Sequence, residues 1–385
     1  MAYNSQKDNR QDATGDKKIP VFISAGDPSG DIAGSHLLKK LKEKCGALDC
    51  FGLGGKRMAA EGQEQLVPGS KLAVLGFWEV AKKFRFFQRL MHDTIRQIEI
   101  KRPKIVILID YPGFNLRLAG KVHDLGIPVI YYVSPQIWAW GGKRIKEIKE
   151  RVDLMLLILP FEKNIYDKAG VKNKFVGHYL LDDMEERFIK APYNTKSDLI
   201  ALLPGSRPQE IERMLPAMIN SAEILSKSGR WRFAVAGVEG TVDYGAYIHK
   251  ASVPMELRLG QTRQLIADSR LVITSSGTAT LETGIIGRPM VVIYKTGAVT
   301  YRIARSLVTV DKIALINICG EKKIVPELIQ GEATPERIAA EARPMLEDDR
   351  AALDIINELH GVTDRLGRAG VAERAAEAIR EYLSC

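Results

Sequence analysis

Short β-branched runs alternate with stretches of helical period along most of the chain. This is the pattern of parallel sheets covered by helices, and predicts an α/β fold. In the first half the expected strands are Val21–Ser24, Ile105–Asp110, Val129–Val133, Leu154–Leu159 and Lys174–Val176. In the second half they are Leu199–Leu203, Arg232–Ala236, Leu271–Thr274 and Met290–Tyr294. Between them, stretches such as His36–Lys44 and Glu210–Ser226 carry the apolar spacing of amphipathic helices.

Three stretches break the alternation. Residues 1–18 are polar with almost no large apolar side chain, so a disordered tail is expected there, without the apolar core of a signal peptide. Leu180 to Lys196 carries Asp182, Asp183, Glu185, Glu186 and Pro192 and reads as a linker. After Gly331 the chain is Ala- and Glu-rich and expected to be helical to Cys385. The length of 385 residues, 45% of them hydrophobic, suits two cores rather than one. Two doubly wound domains therefore follow, over 19–190 and 197–350.

Composition narrows the partners only a little. The net charge of +9 at pH 7 is compatible with nucleic acid, an anionic membrane or phosphorylated substrates. Its distribution says more: Lys82, Lys83, Arg85 and Arg89 directly follow the apolar run that holds Leu72, Leu75, Phe77 and Trp78. No stretch approaches the roughly 20 apolar residues that span a bilayer. The four cysteines are scattered without zinc spacing, and are expected to be thiols in a reduced setting.

Ligands of open parallel sheets gather beyond the carboxyl ends of the strands, so the chemistry is sought there. Leu203-Pro204-Gly205-Ser206-Arg207-Pro208 follows a strand and enters a helix through proline. Gly205 permits close backbone approach, the helix start attracts an anion, and Arg207 offers a fork that matches phosphate. An ordinary strand-to-helix turn is the bland alternative. Thr274-Ser275-Ser276-Gly277-Thr278 repeats the arrangement, with Glu282 one turn on as a ribose partner. Capping alone would explain its hydroxyls, but two anion-ready loops in one domain favour a diphosphate.

Three further loops lie in the first half. Asp27, Ser29 and Asp31 follow the first strand and suit an acceptor's hydroxyls, or else form an acidic turn with Asp31 as a helix cap. Asp110 ends a nearly all-apolar strand, so its carboxyl is expected to be desolvated, with a raised pKa suited to a general base. The rival is a carboxylate satisfied by loop amides; Asn115 lies five residues on. Trp138 and Trp140, followed by Lys143 and Arg144, would stack on a sugar or simply pack under the loop. A lone histidine such as His178 is more often structural. No D-x-D follows a strand, so neither metal nor cofactor is expected.

Taken in order, these motifs resemble the lipid-A-disaccharide synthase family of inverting glycosyltransferases with the GT-B fold. Asp27-Pro28-Ser29-Gly30-Asp31 is similar to the family's A-G-E-x-S-G-D, and Tyr132-Val133-Ser134-Pro135 with Trp138-Ala139-Trp140 to its Y-V-S-P-x-x-W-A-W. Leu159-Pro160-Phe161-Glu162, Leu203 to Arg207 and Ser276-Gly277-Thr278-Ala279 also match, within about Val21 to Leu328.

The resemblance implies two Rossmann-like domains facing a cleft, with helices 351–385 crossing back to the first or exchanging with a partner chain in a homodimer. It implies transfer of 2,3-diacylglucosamine from UDP to the 6-hydroxyl of 2,3-diacylglucosamine 1-phosphate, giving the β-1,6 disaccharide of lipid A. The first domain would take the acceptor, through Ser29, Asp31, Asn115, Trp138 and Trp140. Gly205, Ser206, Arg207, Ser276, Gly277, Thr278, Glu282, Asn317 and Glu321 would hold the donor. Catalysis would rest on Asp110 or Asp27 as base and on Arg207 at the departing UDP. Leu72 to Arg85 would bind anionic lipid on the cytoplasmic face of the inner membrane.

The sequence departs from the family at Gly113, where some members carry a second aspartate proposed as catalytic. It departs again at Asp27-Pro28, in place of Glu-Ala, and at Tyr179. The alternatives are another GT-B enzyme using UDP-GlcNAc, of the peptidoglycan transferase or 2-epimerase type, and a non-enzymatic basic protein. No nucleic-acid module is recognisable.

Overall fold

In the computed structural model the described residues are 18–67, 84–140, 144–228, 231–297, 312–383 and 385. They form two parallel sheets. The first joins β1 (Ile19–Ala25), β2 (Leu48–Leu53), β3 (Glu64–Gln65), β4 (Ile105–Ile109), β5 (Val129–Tyr132), β6 (Leu154–Leu157) and β7 (Asn173–Phe175), in the order β3-β2-β1-β4-β5-β6-β7. The second joins β8 (Leu199–Leu203), β9 (Arg232–Gly237), β10 (Met255–Leu259), β11 (Leu271–Ser275), β12 (Met290–Tyr294) and β13 (Glu327–Ile329), in the order β10-β9-β8-β11-β12-β13.

The central strands β4, β5, β8 and β11 are buried along their whole length. Both faces of these strands are covered, which is why they read as unbroken apolar runs rather than alternating ones. All nine expected strands are present, with ends shifted by up to two residues. Four were not anticipated. β2 is interrupted by Asp49 and Gly52, β3 and β13 are very short, and β10 is an edge strand whose Leu257 and Leu259 are exposed. None of these offers a sustained β-branched run.

By its contacts the chain forms two compact units. One comprises the described residues up to Pro135 with Glu150–Leu156 and Ala372–Cys385, and the other Gln136–Lys149 with Leu157–Val371. The crossing of the C-terminal helices is therefore later than position 351. Helix Asp349–Arg365 stays in the second unit, where Lys322 pairs with Glu358 at 2.7 Å. Only the last helix, Val371–Leu383, groups with the first unit: Lys44 pairs with Glu373 at 2.5 Å, and Tyr382 donates to the Asp153 carbonyl at 3.3 Å.

Two expectations are corrected. Cys45 and Cys385 are joined in a disulfide, with Cα atoms 5.3 Å apart across 340 positions of sequence. Only Cys50 and Cys319 are thiols, both buried. The helix ends that bring the bridged pair together are remote in sequence, so spacing gave no hint.

The stretch read as a linker is not slack. Leu180–Asp183 is helical, and residues 190–195 are anchored to the second unit. The buried Arg288 donates to the carbonyls of Ala191 and Pro192 at 3.0 and 2.7 Å, and Arg270 to that of Thr195 at 3.0 Å. Both guanidiniums lie over the Tyr193 ring.

Candidate functional site

Each sheet reverses its winding between two neighbouring strands, and the loops beyond such a switch point diverge and leave room for a ligand. In the second sheet the switch lies between β8 and β11, which pair with Leu203 opposite Thr274. The two anion-ready loops leave these two strands. Gly205 has φ 116° and Gly277 φ 138°, conformations that L side chains rarely adopt. Pro208 and Thr278 begin the helices Pro208–Ser226 and Thr278–Ile286, neither of which has a side-chain cap. A Cβ on Gly205 would lie 3.4 Å from the Ser275 hydroxyl, so the loops adjoin.

Ser206 and Arg207 are exposed. Glu210, which sequence reasoning passed over, ties them down. Its carboxylate accepts from Arg207 Nη1 at 3.0 Å and from the Ser206 amide at 3.3 Å. The three-residue spacing on a helix start was the available signal. Ser276 donates its hydroxyl to the Ile313 carbonyl at 3.0 Å, and Thr278 is exposed.

Glu282 accepts from Nε and Nη2 of Arg263 at 3.1 and 3.0 Å, and Arg263 also reaches Asp183 at 2.5 Å. Burial holds the Glu282 pKa above the usual carboxylate range, and the Arg263 charge opposes that shift. Arg263 sits on a different helix, Thr262–Asp268, so no local motif pointed to it.

Asn317 does not reach outward. It is fully buried: Nδ2 donates to the Val325 carbonyl and Glu327, and Oδ1 accepts from the amides of Ile324 and Val325. With both amide groups used by the chain, it builds the loop before β13 instead of reaching donor hydroxyls. Glu321 is exposed, in left-handed backbone at the end of Leu315–Gly320.

In the first sheet the switch lies between β1 and β4, paired with Ala25 opposite Ile109. Asp27 caps helix Pro28–Cys45 by accepting from the Gly30 amide at 2.7 Å, and its other oxygen accepts the Ser29 hydroxyl at 2.8 Å. The cap is therefore Asp27 and not Asp31. Asp31 is buried and accepts three amides, of Gly55, Arg57 and Met58, at 2.8 to 3.0 Å. Its oxygens are committed to the turn that starts helix Lys56–Ala60, so an acceptor-binding role is set aside.

Asp110 stands at the end of β4 in left-handed backbone, φ 44°. The conformation is held from several sides. Its amide donates to the Tyr132 carbonyl at 3.0 Å, and its carbonyl accepts from Tyr131 Oη at 2.7 Å and Asn115 Nδ2 at 2.8 Å. Asn115 is wholly buried and takes the Ser24 hydroxyl at 2.7 Å on its oxygen. It is thus a brace for Asp110 and not a contact for the acceptor.

Burial, and secondarily the Asp27 charge, push the Asp110 carboxyl up to about 7. This is the environment of a base that works near neutral pH. Tyr111 at φ 52° and Val133 at φ 62° continue the unusual backbone at the ends of β4 and β5. Such conformations cost roughly 1–3 kcal/mol each and cluster at functional sites.

Trp138 packs edge-on against Phe161, with ring centroids 5.3 Å apart, so two of the sequence motifs meet through their aromatic rings. Trp140 closes the short helix Ile137–Trp140, but its side chain lies outside the described residues. So do Leu72, Leu75, Phe77, Trp78, Lys82 and Lys83; Arg85 is exposed on helix Phe84–Lys101. His178 is buried, and burial pushes it down to about 3, so it stays neutral while Nδ1 accepts the Leu180 amide at 3.3 Å. Among the described residues no helix is long and apolar enough to cross a membrane.

Among solved structures the chain is similar to a kitacinnamycin glycotransferase, at a TM-score of 0.62 and 15% identity over 95% of this chain and 100% of that one. The UDP-GlcNAc 2-epimerase of Neisseria meningitidis, solved bound to UDP-GlcNAc, gives 0.62 at 11% identity over 95% and 100%. These likenesses establish the GT-B fold. Among curated proteins, the lipid-A-disaccharide synthase of Syntrophus aciditrophicus is 40% identical over 92% of this chain and 96% of its own length. That of Myxococcus xanthus is 36% identical over 94% and 97%. The family model described as Lipid-A-disaccharide synthetase matches residues 21–378, beyond the stretch on which the motifs lie. The chain belongs to the lipid-A-disaccharide synthetase family, glycosyltransferases that build the lipid A disaccharide.

Proposed function

We propose that the chain moves 2,3-diacylglucosamine from UDP-2,3-diacylglucosamine to the 6-hydroxyl of 2,3-diacylglucosamine 1-phosphate, releasing UDP. The observation that carries this reading is the gathering of the motifs at the two switch points. Anion-ready loops stand beyond β8 and β11, and a desolvated carboxyl stands beyond β4. Residues 197–350 take the donor, and residues 19–190 with the last helix take the acceptor.

The diphosphate rests on the loops at Gly205-Ser206-Arg207 and Ser276-Gly277-Thr278. As the glycosidic bond to UDP breaks, the charge left on the diphosphate is stabilised by the helix starts and by Arg207. Arg207 reaches it by leaving Glu210. Glu282, held in place by Arg263, takes the ribose, and Glu321 stands at the rim of the donor site. Asp110 accepts the proton of the attacking hydroxyl; its pKa of about 7 leaves it substantially ionised at neutral pH while still basic enough for the step. Asp27, engaged by Ser29 and the Gly30 amide, supplies negative charge beside it rather than a second base. Trp138 and Trp140 flank the acceptor's approach.

The enzyme works at the cytoplasmic face of the inner membrane, to which Leu72 to Arg85 binds through apolar insertion and basic side chains. An assay with acylated against unacylated UDP-glucosamine tests the substrate class. Disaccharide is expected only from the acylated donor. Equal turnover of UDP-GlcNAc, or its epimerisation, would move the chain to the alternative UDP-GlcNAc chemistry.

A further inference from the structure

Tyr111 has no structural reason to be tyrosine. Its hydroxyl is buried and finds no hydrogen-bond partner among the described residues, whereas buried polar groups in proteins are generally paired. Phenylalanine would fill the same space without stranding a donor. The backbone nevertheless goes to some length to put this ring where it is. Tyr111 lies in left-handed backbone at φ 52° and ψ 52°, directly after Asp110 in the same region. Gly26 at the end of β1 is bare to admit it: a Cβ there would meet the Tyr111 ring at 2.3 Å. On the other side the ring stacks on Phe114, with centroids 5.8 Å apart and planes at 28°. Glycine and phenylalanine therefore set the position of the phenol between the ends of β1 and β4, next to Asp110. Burial and the Asp27 charge keep it protonated, with its pKa up at about 12, so it serves as a donor and not as a base.

The chemistry of the acceptor says what this donor meets. A glucosamine acylated at positions 2 and 3 and phosphorylated at 1 has two free hydroxyls, at 4 and 6, on carbons separated only by C5 at one end of the sugar. The 6-hydroxyl attacks and gives its proton to Asp110. We propose that Tyr111 donates a hydrogen bond to the acceptor's 4-hydroxyl oxygen, and so selects and orients the sugar while Asp110 takes the proton from oxygen 6. This rests on the acceptor reading above and adds the residue that distinguishes its two hydroxyls.

The test pairs Tyr111→Phe with a 4-deoxy acceptor. With the normal acceptor, kcat/KM should fall about tenfold in the variant, the scale of one lost hydrogen bond. The KM for the donor should stay unchanged and Tm should be equal or higher, because a stranded hydroxyl has been removed. Wild type should lose a similar factor on the 4-deoxy acceptor, and the variant should lose little more. A variant as active as wild type, or one that discriminates against the 4-deoxy sugar as strongly as wild type does, overturns the assignment. So does a loss of activity matched by a fall in Tm, which marks a packing role. If wild type itself forms no disaccharide, it is the underlying acceptor reading that fails.

Discussion

Asp110 concentrates the chemistry of the first sheet, and its environment makes two opposite demands visible. Asp110→Asn should reduce turnover about 10²-fold or more, the usual scale for a lost general base, while UDP affinity measured by calorimetry stays near wild type. A fully active variant removes Asp110 from the mechanism. The pH profile of kcat/KM should fall on the acid side with an apparent pKa near 7. Stability should run the other way. A carboxyl whose pKa is raised on folding stabilises the fold at low pH, and that contribution is lost as pH rises through about 7. Above that pH Asp110→Asn should therefore be more stable to unfolding than wild type, by at most about 4 kcal/mol.

The desolvation of Asp110 was legible in the sequence because an apolar strand runs straight into it. The duties of Asp31, Asn115 and Asn317 were not. Each is a polar residue beside a motif, and only tertiary contacts reveal that its hydrogen-bonding groups are taken up by amides and carbonyls from other parts of the chain.

Among the elements, the strand-to-helix loops beyond β8 and β11 depend on Arg207, whose exposed guanidinium is paired with Glu210. Arg207→Ala should weaken UDP binding and lower turnover together; unchanged UDP binding would take it out of the phosphate site. Glu210→Gln bears on the same loop with the opposite sign for the ligand. It removes a carboxylate that competes with the diphosphate for Arg207 and the Ser206 amide, so UDP should bind several-fold tighter by calorimetry. Weaker binding would show that Glu210 is needed to shape the loop.

These elements read well from sequence because Pro208 and the Gly/Ser clusters mark the helix starts. The edge strand β10 and the two-residue β3 did not. Their burial is partial, so their composition carries no apolar run, and only pairing with a neighbour makes them strands.

For the molecule as a whole, the last helix is tied into the first unit by Lys44 and by the Cys45–Cys385 bridge. Burial pushes the Cys50 and Cys319 thiols up to about 12, so neither should react while the fold is intact. Maleimide labelling of the native oxidised protein should find no thiol, and after mild reduction only Cys45 and Cys385. Closing so long a loop should also raise the unfolding temperature by on the order of 5 °C over Cys385→Ser. Labelling of Cys385 before reduction would contradict the bridge.

The alternation of strands and helices made two doubly wound sheets readable from the start. Where the chain returns to its first unit was not, since composition is equally helical on both sides of residue 371. Whether the chain joins two acylated glucosamines is answered by mass spectrometry of the product. Wild type supplied with UDP-2,3-diacylglucosamine and 2,3-diacylglucosamine 1-phosphate should yield UDP and a tetra-acylated disaccharide 1-phosphate. UDP release with only monosaccharide products, or no reaction, would contradict it.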